Sequence, residues 1–328
     1  MLAKFDHAMQ DDTPAPPSAQ FGRDAGEFCL SVIQDQMEET MIQMMRRTVL
    51  LLGLLAWATT QTGYAGEPIE LVVRGDDMGS SHDSNLAIIK AYKEGIVTSA
   101  SVHVPCLYSD EAFALCKANP GLAVGVHITL WDCTPVRPVL PYEEIPSLAT
   151  PYGFFYFSRA DFDRAHPKLE DVEKEVRAQI ARARAVGLHF VYLDCHNMGT
   201  QKNLRPDIRE LFIRIAKEER LLISTHEGDT RLAISPIKWS HPAAWDKFPQ
   251  LIENSEFVEQ QRDLFFQQLS RMQPDLYLLV THPGLYAPAH AREMNEMILS
   301  PRTKQIIRDR KIRLVSYQDL CNRKFGKR

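Results

Sequence analysis

Cysteine is scarce in this 328-residue chain. There are six, Cys29, Cys106, Cys116, Cys133, Cys195 and Cys321, and no CxxC pair. That excludes a zinc ribbon and a dithiol redox motif. Basic blocks are missing from the body of the chain, and the formal net charge is -4. Nothing could track a phosphate backbone, so a nucleic-acid role is excluded and a weakly charged small molecule fits better. No apolar run approaches the roughly 20 residues that cross a bilayer. Short repeats, low-complexity tracts and composition breaks between domains are absent too.

What is present is 45% hydrophobic and 24% charged residues, the make-up of a packed globular core. The N-terminus stands apart. Residues 1–40 are polar and aperiodic, and they read as disordered or as an over-extended start, with Met41, Met44 or Met45 as the true first residue. Arg46-Arg47 then precede an apolar run from Thr48 to Ala58, with small residues beyond it. A basic segment, a short apolar segment and small residues describe a cleavable export signal over 41–65, cut after Ala65. The expected localisation is therefore periplasmic or secreted, with no transmembrane segment left after cleavage. Export permits disulfides, and Cys106 and Cys133, which follow successive strands, are a candidate pair.

Residues 66–328 form the expected folded domain. Strand-like runs at Ile69–Arg74, Thr98–Val104, Leu122–Leu130, His189–Asp194, Leu221–Thr225, Leu276–Thr281 and Lys311–Val315 alternate with helical stretches. The helices cover His82–Glu94, Asp110–Asn119, Leu169–Val186, Pro206–Glu219 and Glu256–Met272. Irregular segments run from Trp131 to about Pro167 and from Thr225 to about Ser255. Repeated β–α order argues for a parallel sheet covered by helices. About seven such units suggest an α/β fold, a closed or nearly closed (β/α) barrel, with an open doubly wound sheet as the alternative.

Polar residues collect at one end of these strands. Asp76 and Asp77 follow strand one, His127 lies near the end of strand three, Asp194 and His196 end strand four, and His282 ends strand six. In a parallel barrel all strand C-termini open onto one face, where active sites lie. Alternation of side chains sends Val126, Ile128 and Leu130 outward and His127 inward. One carboxylate with two imidazoles leaves open positions on a divalent cation, as catalytic sites require. A second carboxylate nearby can accept a proton, and a further histidine can protonate a leaving amine. An Asp-Asp pair can instead merely cap a helix, and a strand histidine can be a hydrogen-bonded core residue. The shared strand end makes coincidence the weaker account. His103, late in strand two, and His226, ending strand five, could face the mouth, but core or surface roles suit both better.

These residues carry a family likeness. From about Ile69 to Asp319 the chain resembles the YdjC-like carbohydrate deacetylases, which include chitooligosaccharide deacetylases and hopanoid-associated homologues. The matching pieces are Asp76-Asp77-Met78-Gly79, Gly95-Ile96-Val97-Thr98-Ser99-Ala100-Ser101, Gly125-Val126-His127-Ile128-Thr129-Leu130, Asp194-Cys195-His196 and His282-Pro283-Gly284, in that order. The resemblance implies a distorted (β/α) barrel with its metal site at the strand C-terminal face. It implies hydrolysis of an acetamido group on an N-acetylated sugar or glycan, with magnesium first among the divalent cations and zinc, manganese or cobalt as alternatives. Asp77, His127 and His196 would be the metal ligands, Asp76 the general base and His282 the acid or oxyanion partner. A homodimer is compatible with it. Two departures stand out: the family often has Phe where Met78 stands, and many members have a second histidine where this chain has Met198.

Rival readings remain. A phosphoesterase would want cations at the mouth, with Arg74 and Arg137 as candidates. Two histidines and a carboxylate also suit a non-haem iron oxygenase. A catalytically inactive sugar-binding protein of the cell envelope is the third. The aromatic run Tyr152–Phe157 and the loops around Trp239 and Trp245 either border the mouth against a sugar ring or anchor loops.

Overall fold

The structure, a computed structural model, describes Met41 and residues 43–45, 68–196, 205–224, 235–236, 255–286 and 288–327. The chain divides into Met1–Gly66 and Glu67–Arg328. In the first unit Met41 and residues 43–45 are helical. The rest of the expected export signal, with its cut after Ala65, lies outside the described residues, as do residues 1–40. No described helix is long and apolar enough to cross a membrane.

In the second unit the strands are β1 (Ile69–Met78), β2 (Ser99–Val102), β3 (Ala123–Ile128), β4 (Tyr192–Cys195), β5 (Leu222–Ile223), β6 (Ser235–Pro236), β7 (Asp275–Thr281) and β8 (Arg313–Val315). Among the described residues they make one sheet in the order β5-β4-β3-β2-β1-β7-β6. Every pairing is parallel. The sheet curls into a half-barrel. β7 runs beside β1 from Ile69 to Gly75. The other edge of β1 is shared: β8 pairs with Glu70–Val72, and β2 takes over from Arg74. That displacement of β8 is the distortion of the barrel. β6 falls in a stretch the sequence reads as irregular, because a two-residue strand has no period to detect.

The helices are α1 (His82–Glu94), α2 (Ser109–Ala118), α3 (Arg159–Ala165), α4 (Leu169–Ala185), α5 (Pro206–Glu218), α6 (Ser255–Arg271), α7 (Pro288–Arg292), α8 (Pro301–Asp309) and α9 (Tyr317–Phe325). A π-helical turn, Glu293–Ile298, follows α7. The ends of α1 are written locally: Ser81 and Ser84 form a reciprocal capping box, and Gly95 follows the last turn. α3 and the last three helices were not expected from the periodicity, since short amphipathic pieces are weak signals.

Alternation along the strands builds two cores. Outward residues such as Leu71, Val73, Ala100, Val102, Val124, Val126, Ile128, Leu193 and Leu279 pack under the helices. The inward rows supply Val72, Tyr192, Leu222, Leu278, Val280 and Val315, joined by Tyr317 from α9. The Tyr192 and Tyr317 rings stack with centroids 4.0 Å apart. Gly125 makes room for them: a Cβ there would sit 2.2 Å from the Tyr192 ring. The barrel interior is thus plugged by aromatics in its lower part.

The long segment after β3 is held by a polar stripe on α4. Asp171, Glu175 and Gln179 are spaced i, i+4, i+8 on one face. Asp171 accepts from the backbone N–H and the hydroxyl of Ser147. Glu175 accepts from the N–H groups of Val139 and Leu140. Gln179 closes both backbone groups of Thr129. The aromatic run serves this anchoring in part. Phe155 is buried, and Phe154 lies under the Arg137 guanidinium at 4.2 Å, while Tyr152 and Phe157 are exposed. Trp239 and Trp245 lie outside the described residues.

Candidate metal centre at the barrel mouth

The two acids of β1 reach the mouth by a backbone irregularity. Regular alternation would send Asp76 inward with Val72 and Arg74, and Asp77 outward. The β1–β2 register slips between Gly75 and Met78, and Asp77 takes the left-handed conformation with φ 66°. A bulge of this kind turns a strand and re-aims a side chain. Met78 goes to the outer core instead, where Cys116 Sγ lies 3.7 Å from its sulfur. The Asp77 carbonyl is tied down by Ser80 and Ser84. Gly79, with φ 100°, cannot carry a side chain, since a Cβ would lie 2.8 Å from the His103 carbonyl oxygen.

Three imidazoles surround the Asp77 carboxylate. From its Oδ1, His103 Nε2 is 2.9 Å away, His196 Nδ1 3.2 Å and His127 Nε2 3.3 Å. His196 Nδ1 and His127 Nε2 are 3.3 Å apart. The far nitrogen of each ring faces another group. His103 Nδ1 meets Thr129 Oγ1 at 2.8 Å, His127 Nδ1 meets Asp194 Oδ2 at 2.9 Å, and His196 Nε2 meets Asp132 Oδ2 at 3.0 Å. The His127–Asp194 contact is an ion pair rather than an aligned hydrogen bond. Such outer partners are the usual means of orienting metal-binding histidines. Three ring nitrogens and a carboxylate oxygen this close need positive charge among them, either protons on the rings or one cation. Ligand atoms about 2.1 Å from one ion at tetrahedral angles stand roughly 3.4 Å apart, close to the 3.2 and 3.3 Å seen here. The donor set therefore fits a divalent cation. The histidines are buried, whereas Asp77 is 29% exposed, so the cluster opens to solvent on the acid's side.

The charges are strongly coupled. Burial works to raise the Asp77 carboxyl, but the three imidazoles gathered at its Oδ1 hold it well below the usual carboxylate range. Burial also lowers His127, yet the charge of Asp194, with Asp76 and Asp77, brings it up to about 10. His103 is pushed down to about 4 by burial and by the neighbouring His196 and His127 charges.

Beneath this cluster lies a second acidic group, Asp76, His127 and Asp194. It already holds a cation, the guanidinium of Arg74. Arg74 donates to both oxygens of Asp76 at 2.6 Å, reaches Asp194 Oδ2 at 3.0 Å and is 1% exposed. It also donates to the Ser224 hydroxyl. Burial opposes ionisation of Asp76, but the Arg74 charge and hydrogen bonds, with His127, bring its pKa down to about 2.

The structure thus brings Asp77, His127 and His196 together, with Asp76 beside His127 and Asp194. His282 stands just beyond β7, and its carbonyl accepts from His290 Nδ1 at 2.7 Å. Three expectations are corrected. Arg74 is no free cation at the mouth, because two carboxylates claim it. Arg137 is engaged by the Tyr152 and Gly153 carbonyls and the Phe154 ring. Cys106 and Cys133 are both free thiols, so no bridge joins them. Met198 and His226 lie outside the described residues. Two residues were missed. For His103 the signal was available: Ser99, Ser101 and His103 form a polar inward row against apolar Ala100, Val102 and Val104. Asp132 had none, since only the path of the chain after β3 brings it to His196.

A parallel α/β half-barrel with a histidine–carboxylate cluster at its strand C-termini defines the class. Comparison with known proteins gives the family: the YdjC-like protein model matches residues 70–322, and the chain belongs to that family. A carbohydrate deacetylase of Brevibacillus brevis is 29% identical over 274 residues, covering 77% of this chain and 100% of the relative. A chitooligosaccharide deacetylase of Yersinia enterocolitica is 26% identical, covering 76% of this chain and 98% of its own length. Among solved structures, an Enterococcus faecalis protein named as a candidate cellobiose-phosphate cleavage protein shares the fold. Its TM-score is 0.60 at 22% identity, and the match covers 77% of this chain and 99% of that one.

Proposed function

We propose that the chain is a metal-dependent hydrolase that removes the acetyl group from an N-acetylated sugar or glycan. The observation that carries this reading is the convergence of the Asp77, His127 and His196 donor atoms, each within 3.3 Å of the next, beside a second ionised carboxylate. The names of the curated relatives support the substrate class.

Asp77, His127 and His196 would hold the cation, with Asp194 and Asp132 steering the two rings. A divalent cation there supplies Lewis acidity, polarising an acetyl oxygen and acidifying water. Asp76 accepts the proton of the attacking water. Arg74 keeps it ionised and fixes both its oxygens, which makes it a weak but always available base. His282 donates a proton to the departing sugar amine. Tyr152 and Phe157, exposed beyond the loop core, offer aromatic faces to a sugar ring. Arg74 and Arg137, the two cations on which the phosphoesterase reading drew, are both engaged within the chain.

The test is acetate release from a panel of N-acetylated sugars, with magnesium, zinc, manganese or cobalt returned to chelated protein. Asp76→Asn should lose at least about 100-fold in turnover while keeping its metal. Full activity in that variant rejects Asp76 as the base. We further propose export through the 41–65 segment, which rests on the sequence alone and is tested by N-terminal sequencing of the native protein.

A further inference from the structure

We propose that His103 is a fourth protein ligand of the mouth cluster, making it a three-imidazole, one-carboxylate site that takes a zinc- or cobalt-class cation in preference to magnesium. This rests on the reading of the cluster as a cation site.

His103 is fully buried just past β2, and its position is over-determined. Its N–H donates to the Met78 carbonyl at 2.7 Å, and Gly79 packs against its own carbonyl. The ring is aimed by Thr129, whose backbone is clamped by Gln179. The Thr129 hydroxyl lies 3.3 Å from the His127 carbonyl, which can take its proton. The oxygen then accepts from His103 Nδ1–H, and the lone pair of Nε2 is left facing Asp77 Oδ1 at 2.9 Å. That is the tautomer a ligand needs. The ring centroid lies 4.2 Å from that of His196 and 4.6 Å from that of His127. The donor atoms of Asp77, His103, His127 and His196 all fall within 4.8 Å of one another. The rival account has Nε2–H donating to Asp77 and merely steadying it.

Cation preference follows from donor chemistry. Imidazole suits zinc, cobalt and nickel, while magnesium demands oxygen ligands and gives up its waters reluctantly. Three nitrogens against one carboxylate turn the site away from magnesium. Room for a substrate oxygen then requires a fifth position, which zinc and cobalt both accept.

The experiment strips the full chain with a chelator and titrates it with zinc, cobalt and magnesium by calorimetry, recording the visible spectrum of the cobalt form. The expected result is zinc and cobalt binding at least about 100-fold tighter than magnesium. His103→Ala should weaken cobalt binding at least about 10-fold and change its d–d bands. His103→Gln restores a hydrogen-bond donor to Asp77 without an imidazole, so it should stay weakened and spectrally altered. Wild-type affinity and spectrum in either variant overturn the ligand assignment, and magnesium binding as tight as zinc overturns the cation preference. If the wild-type chain takes up no divalent ion, the cation-site reading falls, and this inference with it.

Discussion

The lower and upper halves of the barrel interior are built by the same inward rows, yet they share almost no chemistry. Low in the barrel, Val72, Leu278, Val315, Tyr192 and Tyr317 close the space with carbon. Further along the inward rows stand Arg74, then Asp76, His127, Asp194 and the ring of His196. The lower half gains free energy from burial; the upper half spends part of it by keeping charges out of water. Arg74 is the boundary between them, standing on the tyrosine plug and neutralising the acids above. A dry floor makes each charge interaction above it stronger, because little water reaches it.

Removing the boundary should have the largest effect. Arg74→Met leaves Asp76 and Asp194 without their cation and should cost about 3–5 kcal/mol of stability, read by denaturant unfolding. A near wild-type midpoint would mean the two halves do not depend on each other. Next comes a pH dependence from outside the barrel. Burial pushes Glu175 up to about 7, against the N–H groups of Val139 and Leu140. A folded pKa above the unfolded value means stability present below about pH 4.5 and lost as pH rises through 7. Glu175→Gln removes that titration, so the stability difference between wild type and variant should change by up to about 3 kcal/mol across this window. Parallel curves would show that the stripe bearing Gln179 and Thr129 is not under charge stress. Smallest is Gly125→Ala, whose methyl strikes the Tyr192 ring and should cost about 1–3 kcal/mol by overpacking. If thermal unfolding finds no loss, the plug is looser than its stacking implies.

Much of this was legible because it is local. The alternation around His127 holds, and the same test on Ser99, Ser101 and His103 would have found the third ring. The β–α rhythm placed α1, α4 and α5 within a few residues. β6 escaped because two residues carry no period. The conformation of Asp77 escaped because strict alternation predicts the opposite face, and the bulge shows only in the folded chain, in the register slip of β1 against β2 and the packing of Gly79 on His103.

By itself the sequence determined the strand rhythm, the polar strand ends and which residue types gather at the mouth, since these follow from side-chain periodicity and chain order. Only the tertiary structure decided that Arg74 serves the acids rather than a substrate, that Asp132 meets His196, and that Asp77 turns inward. Those outcomes depend on contacts between segments far apart in the chain and on a backbone bulge held by its neighbours, and no local pattern encodes either.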